Sequence, residues 1–130
     1  MKFSKEKPPI FDKLHKAFGI EWGGDLVIAY DDTIYHTIKL DPSVIVHEQV
    51  HLSRQGKNSD TWYESYIRDP KFRFGEELLA YRTQYQFLAE TTKDRNELAR
   101  HWYRLAKDLS GVMYGSVISH REALKLIALK

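Results

Sequence analysis

Residues 44–52 read VIVHEQVHL, a hydrophobic run carrying two histidines four positions apart, with a glutamate directly after the first. Four residues is just over one helical turn, so in a helix the two imidazoles stand one above the other. On such a helix Val44, His47, Glu48, His51 and Gln55 share one face, while Val46, Val50 and Ser53 point away and Ile45 and Leu52 lie along a flank. The histidines therefore sit where an apolar core pattern alone would not put them. Both rings can reach one cation at about 2.0–2.1 Å, and the adjacent carboxylate can take a proton from water that the cation polarises. The bland alternative is an amphipathic helix with two satisfied surface histidines.

The flanking residues frame this helix. Asp41 is a candidate N-cap, Pro42 suits the first turn, and Gly56 marks the end. Upstream, DLVIAY at 25–30 and TIYHTI at 33–38 flank Asp31-Asp32, which predicts a β-hairpin over about residues 25–38. Before it, Pro8 and Pro9 introduce a short amphipathic helix with Phe11, Leu14 and Phe18 on one side and Gly19 near its end. Downstream, residues 58–60 cap a short aromatic helix, TWYESYIR, which Pro70 breaks. Longer helices follow at about 71–90 and 94–110, the second with Leu98, Trp102, Leu105 and Leu109 at helical spacing and Gly111 as its stop. Ser119 and Glu122 form a capping box for a last helix. The pattern predicts an α+β fold: one mostly helical domain over residues 1–130 with a small antiparallel β-hairpin, the hairpin lying beside the histidine helix.

Composition narrows the chemistry. The 130 residues are 42% hydrophobic and 29% charged, as in a globular protein. Twenty basic and eighteen acidic residues leave a net charge of +2 with the signs interspersed, which argues against nucleic acid or an anionic membrane as partner. Cysteine is absent, so any metal here is held by His, Asp or Glu. Residues 1–13 have a basic start without an apolar stretch, and no run reaches membrane-spanning length, so a cytoplasmic location is the expectation, with a phage particle as the alternative.

Catalytic zinc sites use three protein ligands and one open position, so a third ligand is required. In FRFGEELLAYRTQYQFLAE, residues Phe74, Leu78, Tyr81, Tyr85 and Leu88 form one stripe with Glu77 in its middle, whereas Glu76 points away towards Ala80 and Thr83. A carboxylate in a core stripe is costly unless it is paired or bound to metal. Glu77 is the misplaced residue that the metal reading needs; a buried ion pair with Arg73, Arg82 or Arg54 is the alternative.

His47-Glu48-Gln49-Val50-His51 followed by Glu77-Leu78-Leu79-Ala80 resembles the gluzincin group of zinc metallopeptidases. The Glu-x-x-Ala half is similar to compact bacterial and phage-encoded members. The succession Thr33-Ile34-Tyr35, Trp62-Tyr63, Asp69-Pro70-Lys71-Phe72-Arg73 and Glu77-x-x-Ala-Tyr resembles small, largely uncharacterised phage and prophage metallopeptidases. The likeness spans roughly residues 33–86. It implies a minimal zincin-like fold, one zinc ion on His47, His51 and Glu77, and Glu48 as general base. The chain departs from larger members in lacking a big substrate-cleft sheet and a second domain.

A peptidase of this type also needs a donor for the developing oxyanion. Tyr114, before the last helix, and His120, at its start, are the candidates; core packing of Tyr114 and a solvated His120 are the alternatives. His36 reads as a packed histidine on the Ile34/Ile38 face, and His15 and His101 as ordinary helix residues. Trp62, Tyr63 and Tyr66 either line a substrate groove or form core, and helical spacing favours core. The sequence thus predicts a zinc-dependent hydrolase, a metallopeptidase acting on peptide or protein substrates, cell-wall peptides included. The competing expectation is a non-catalytic metal-binding module, structural or partner-binding, such as a particle component.

Overall fold

The structure, a computed structural model, describes residues 1–111 and 118–129. The described elements run β1 (Lys2–Ser4), α1 (Phe11–Phe18), β2 (Val27–Tyr30), β3 (Thr33–His36), α2 (Pro42–Gln55), α3 (Ser59–Arg68), α4 (Pro70–Thr91), α5 (Arg95–Leu109) and α6 (His120–Ala128). This is the expected α+β, mostly helical fold with a small sheet. By its internal contacts the chain comprises two compact units, Met1–Asp69 and Pro70–Lys130.

In the first unit the hairpin forms where the pattern placed it, although its strands are shorter than the 25–38 span. Val27 pairs antiparallel with His36 and Tyr30 with Thr33. Asp31 and Asp32 turn the chain at φ 48° and 66°, a left-handed pair that Asp tolerates better than most residues. The sheet differs from a plain hairpin in one respect: β1 runs parallel to β3, Phe3 opposite Ile34, giving the order β1-β3-β2 and a mixed sheet. A three-residue strand with Phe3 half exposed has no periodicity to announce it; only pairing with β3 makes it a strand.

Helix α2 begins as expected. The Asp41 carboxylate accepts from the Ser43 backbone N–H at 2.8 Å, Pro42 occupies the first turn, and the Gly56 N–H closes the far end on the Leu52 carbonyl. It packs on β2 and β3. Its buried residues are Ser43, His47, Glu48, His51 and Gln55, so this helix turns its polar face inward and leaves Val46 and Val50 half buried. Trp62, Tyr63 and Tyr66 of α3 are all buried, as core residues.

In the second unit α4, α5 and α6 pack pairwise. Asp94 caps α5 through the Asn96 and Glu97 N–H groups, and Ser119 and Glu122 form the capping box of α6. The apolar core joins Tyr81, Leu88, Leu105, Leu109, Ala123 and Ile127, with Phe74, Leu78 and Tyr85 packed around it. The side of α4 that is most buried is not centred on that stripe. Arg73, Glu76, Glu77, Ala80, Gln84 and Leu88 are buried, and Glu76, expected to point away, is only 4% exposed. A helix enclosed on more than one side has no single inward stripe, so a wheel cannot rank its neighbouring glutamates. No helix among the described residues is long and apolar enough to cross a membrane.

Candidate metal centre

His47 and His51 lie one turn apart in α2, 8% and 4% exposed. Their Nε2 atoms face one another at 3.2 Å, and the ring centroids are 4.9 Å apart at 79°. Two nitrogens bound tetrahedrally to one ion at the usual zinc–nitrogen length stand about 3.3–3.4 Å apart, so the pair is already spaced as ligands are.

A carboxylate oxygen of Glu77 completes the group: the His47, His51 and Glu77 ligand atoms lie within 4.8 Å of one another, and all three residues are buried. Two imidazole nitrogens and one carboxylate oxygen, shielded from water, suit a divalent transition ion; calcium or magnesium would call for an all-oxygen set. The group can bind one metal ion.

Glu48 is buried beside His47, 5% exposed. Glu76, also buried and adjacent to Glu77 in sequence, was not picked out by the helical pattern, nor was the burial of Arg73. Arg73 precedes Glu77 by one turn of α4; of the other arginines weighed as partners, Arg82 donates through Nε to the Leu126 carbonyl at 2.7 Å, and Arg54 is exposed.

The remaining candidates divide. Tyr114 lies outside the described residues. His120 opens α6, its Nε2 3.1 Å from the Tyr103 carbonyl oxygen and its ring stacked on Tyr103 with centroids 5.5 Å apart. His36 is half buried rather than core, edge-on to Phe3, with Nδ1 2.7 Å from the Ile38 carbonyl oxygen. His15 contacts the Ile20 carbonyl and His101 contacts Arg104, both at helix surfaces.

The most informative contacts that the pattern did not foresee lie around the histidines. The indole of Trp62 sits 5.3 Å from the His51 ring, centroid to centroid. At the end of α2, Gln55 donates from Nε2 to the Ala29 carbonyl at 2.8 Å, and the Tyr63 hydroxyl donates to the same oxygen at 2.6 Å. Only the position of Gln55 on the histidine face hinted at this. Farther out, the Tyr30 hydroxyl donates to Asp60 at 2.7 Å; that bond, with burial and the charges of Asp60 and Asp31, pushes the phenol up to about 12.

Compared with known proteins, the chain matches no family model, no curated protein and no solved structure.

Proposed function

We propose that the chain is a zinc-dependent hydrolase of the metallopeptidase type, with His47, His51 and Glu77 holding one ion and Glu48 acting as general base. One observation carries the reading: two buried imidazole nitrogens at ligand spacing with a buried carboxylate oxygen within 4.8 Å of both. The resemblance of His47-Glu48-x-x-His51 and Glu77-x-x-Ala80 to gluzincins supports zinc as the ion and peptide or protein, cell-wall peptides included, as substrate.

A zinc ion bound there supplies Lewis acidity, lowering the pKa of coordinated water and polarising a substrate carbonyl. The protein supplies the proton transfers. Glu48 follows His47 directly and shares the histidine face of α2, and its carboxylate is the group that would accept the proton of the attacking water. The same carboxylate then returns that proton to the leaving amine as the amide C–N bond breaks. The scheme also needs an oxyanion donor, for which Tyr114 and His120 are the two candidates.

One observation favours the second reading, a structural or partner-binding metal module such as a particle component. His47, Glu48, His51 and Glu77 are all less than a tenth exposed, which leaves these side chains little surface to offer a substrate. Glu48 argues the other way, since a structural site has no use for a base that is not a ligand.

Two variants separate these readings. Protein purified from zinc-supplemented cells should hold one zinc per chain by elemental analysis. His51→Ala should lose it, and Glu48→Gln should keep it. Against a peptide library and purified peptidoglycan, Glu48→Gln should lower hydrolysis by about 10²–10⁴-fold, the usual contribution of a positioned base. Wild type that takes up no transition metal sinks the proposal. If Glu48→Gln sheds zinc as readily as His51→Ala, Glu48 is a ligand or support and the base assignment fails.

A further inference from the structure

Three elements of the first unit meet at one backbone carbonyl. Ala29, fully buried in β2, presents its oxygen to Gln55 of α2 and to Tyr63 of α3, at 2.8 and 2.6 Å. The Gln55 amide is satisfied at its other end too, accepting from the Ser59 hydroxyl at 2.8 Å, and the Ser59 oxygen accepts from the Asp31 backbone N–H at 3.1 Å. The three bonds made by Gln55 and Tyr63 are buried, so each matters more than at a surface, and a lost donor leaves a carbonyl without water to replace it.

The junction bears on the histidines through two short paths. Gln55 lies one turn after His51 on the same face, so anchoring its amide sets the rotation of the second half of α2 against the sheet. Tyr63 is packed edge-on to Trp62, centroids 4.9 Å apart, and Trp62 stacks on Tyr66 at 5.0 Å. Anchoring Tyr63 thereby holds the Trp62 ring beside the His51 imidazole, which has Trp62 at 5.3 Å and the His47 ring at 4.9 Å, centroid to centroid. An aliphatic contact at position 55 would tolerate rotation of α2; a two-ended amide does not.

We infer that Gln55 and Tyr63, through the Ala29 carbonyl, are positioning residues that preset the His51 imidazole, by way of Trp62, for metal binding. The inference rests on the metal reading above, but the ring order it requires exists without metal. Residues that orient a metal-ligating histidine typically change affinity by about 10–100-fold when removed, and preorganisation is the reason. Each donor holds one of the two paths to His51, so Gln55→Leu and Tyr63→Phe should each lose part of the affinity and the pair the most.

The test uses the full chain and cobalt(II) as the probe. Affinity comes from competition with a chelator, geometry from the visible absorption bands. Gln55→Leu/Tyr63→Phe should bind cobalt about 10–100-fold more weakly with altered bands. In the metal-free protein its His51 ring signals should broaden and lose their cross-relaxation to Trp62. Leu14→Ala, which removes buried apolar volume from α1, is the control for mere destabilisation; it should lower Tm and leave cobalt affinity and the His51 signals unchanged. If the double variant does not fold, Trp62→Phe reads the same path with the junction intact and should weaken cobalt binding. Wild-type affinity and spectrum in the double variant, or equal losses in Leu14→Ala, overturn the inference. Should wild type bind no cobalt, the metal reading fails, and the ring signals alone then decide whether the positioning stands.

Discussion

Helices α2 and α5 are nearly equal in length and are buried by opposite means. On α5 the inward residues are Leu105, Ala106 and Leu109, joined to Ala123 and Ile127 of α6. On α2 they are Ser43, His47, Glu48, His51 and Gln55. The apolar face of α5 gains free energy from burial in proportion to area and with little demand on direction. The polar face of α2 is costly to bury unless each group finds its partner at the right distance and angle. One helix is held by volume, the other by geometry, and the candidate chemistry lies on the second.

The largest test of that contrast is a crossed pair of variants. Leu109→Ala removes a side chain 1% exposed from the α5–α6 core and should cost about 2–5 kcal/mol of stability by denaturant unfolding, with one-to-one zinc binding retained. His51→Ala should do the reverse, abolishing zinc uptake while the α4–α6 core keeps its packing. If Leu109→Ala empties the metal centre, the two regions are not separable.

Zinc itself gives the next effect. At a free concentration a hundred times its Kd, one ion should add about 2.7 kcal/mol of stability, seen as a rise in Tm that chelator reverses. The rise should persist in Leu109→Ala and vanish in His51→Ala. A rise in His51→Ala would mean that zinc binds elsewhere.

Smaller again is the cap of α6. The Ser119 hydroxyl accepts from the Glu122 N–H at 3.1 Å, and Ser119→Ala should cost about 0.5–2 kcal/mol without touching zinc affinity.

The smallest effect concerns Tyr30, whose hydrogen bond to Asp60 ties the hairpin to α3. Its phenol is raised from 10 to about 12, so the neutral form is favoured by folding. The stability from this pair is fully present below pH 10 and is lost as pH rises through about 12. Phenolate absorbance of wild type minus Tyr30→Phe should show one late-titrating tyrosine. A difference titrating near 10 would mean that the Asp60 bond does not hold in solution.

Local signals were legible wherever a residue acts on its own neighbours. The Asp31-Asp32 turn, the Asp41 cap with Pro42, the left-handed Gly19 that ends α1, and the Ser119/Glu122 box each depend on atoms a few residues apart, and each appears where the pattern put it. The four-residue spacing of His47 and His51 is local in the same sense, since a helix alone stacks the two rings. That Trp62, Tyr63 and Tyr66 are core also followed from their spacing.

What the tertiary structure decided is everything that depends on a second surface. The β1 strand exists because β3 offers it an edge, and nothing in Lys2–Ser4 announces that pairing. Burial of Glu76 alongside Glu77 reflects how fully α4 is enclosed, a property of its neighbours and not of its periodicity. The approach of a Glu77 oxygen to two imidazoles thirty and twenty-six residues earlier in the chain, and the two donors that reach Ala29 from twenty-six and thirty-four residues away, are distances between remote segments. Sequence spacing constrains such distances only within one element; beyond it, hydrogen-bond geometry and packing select one arrangement among many that the same pattern allows.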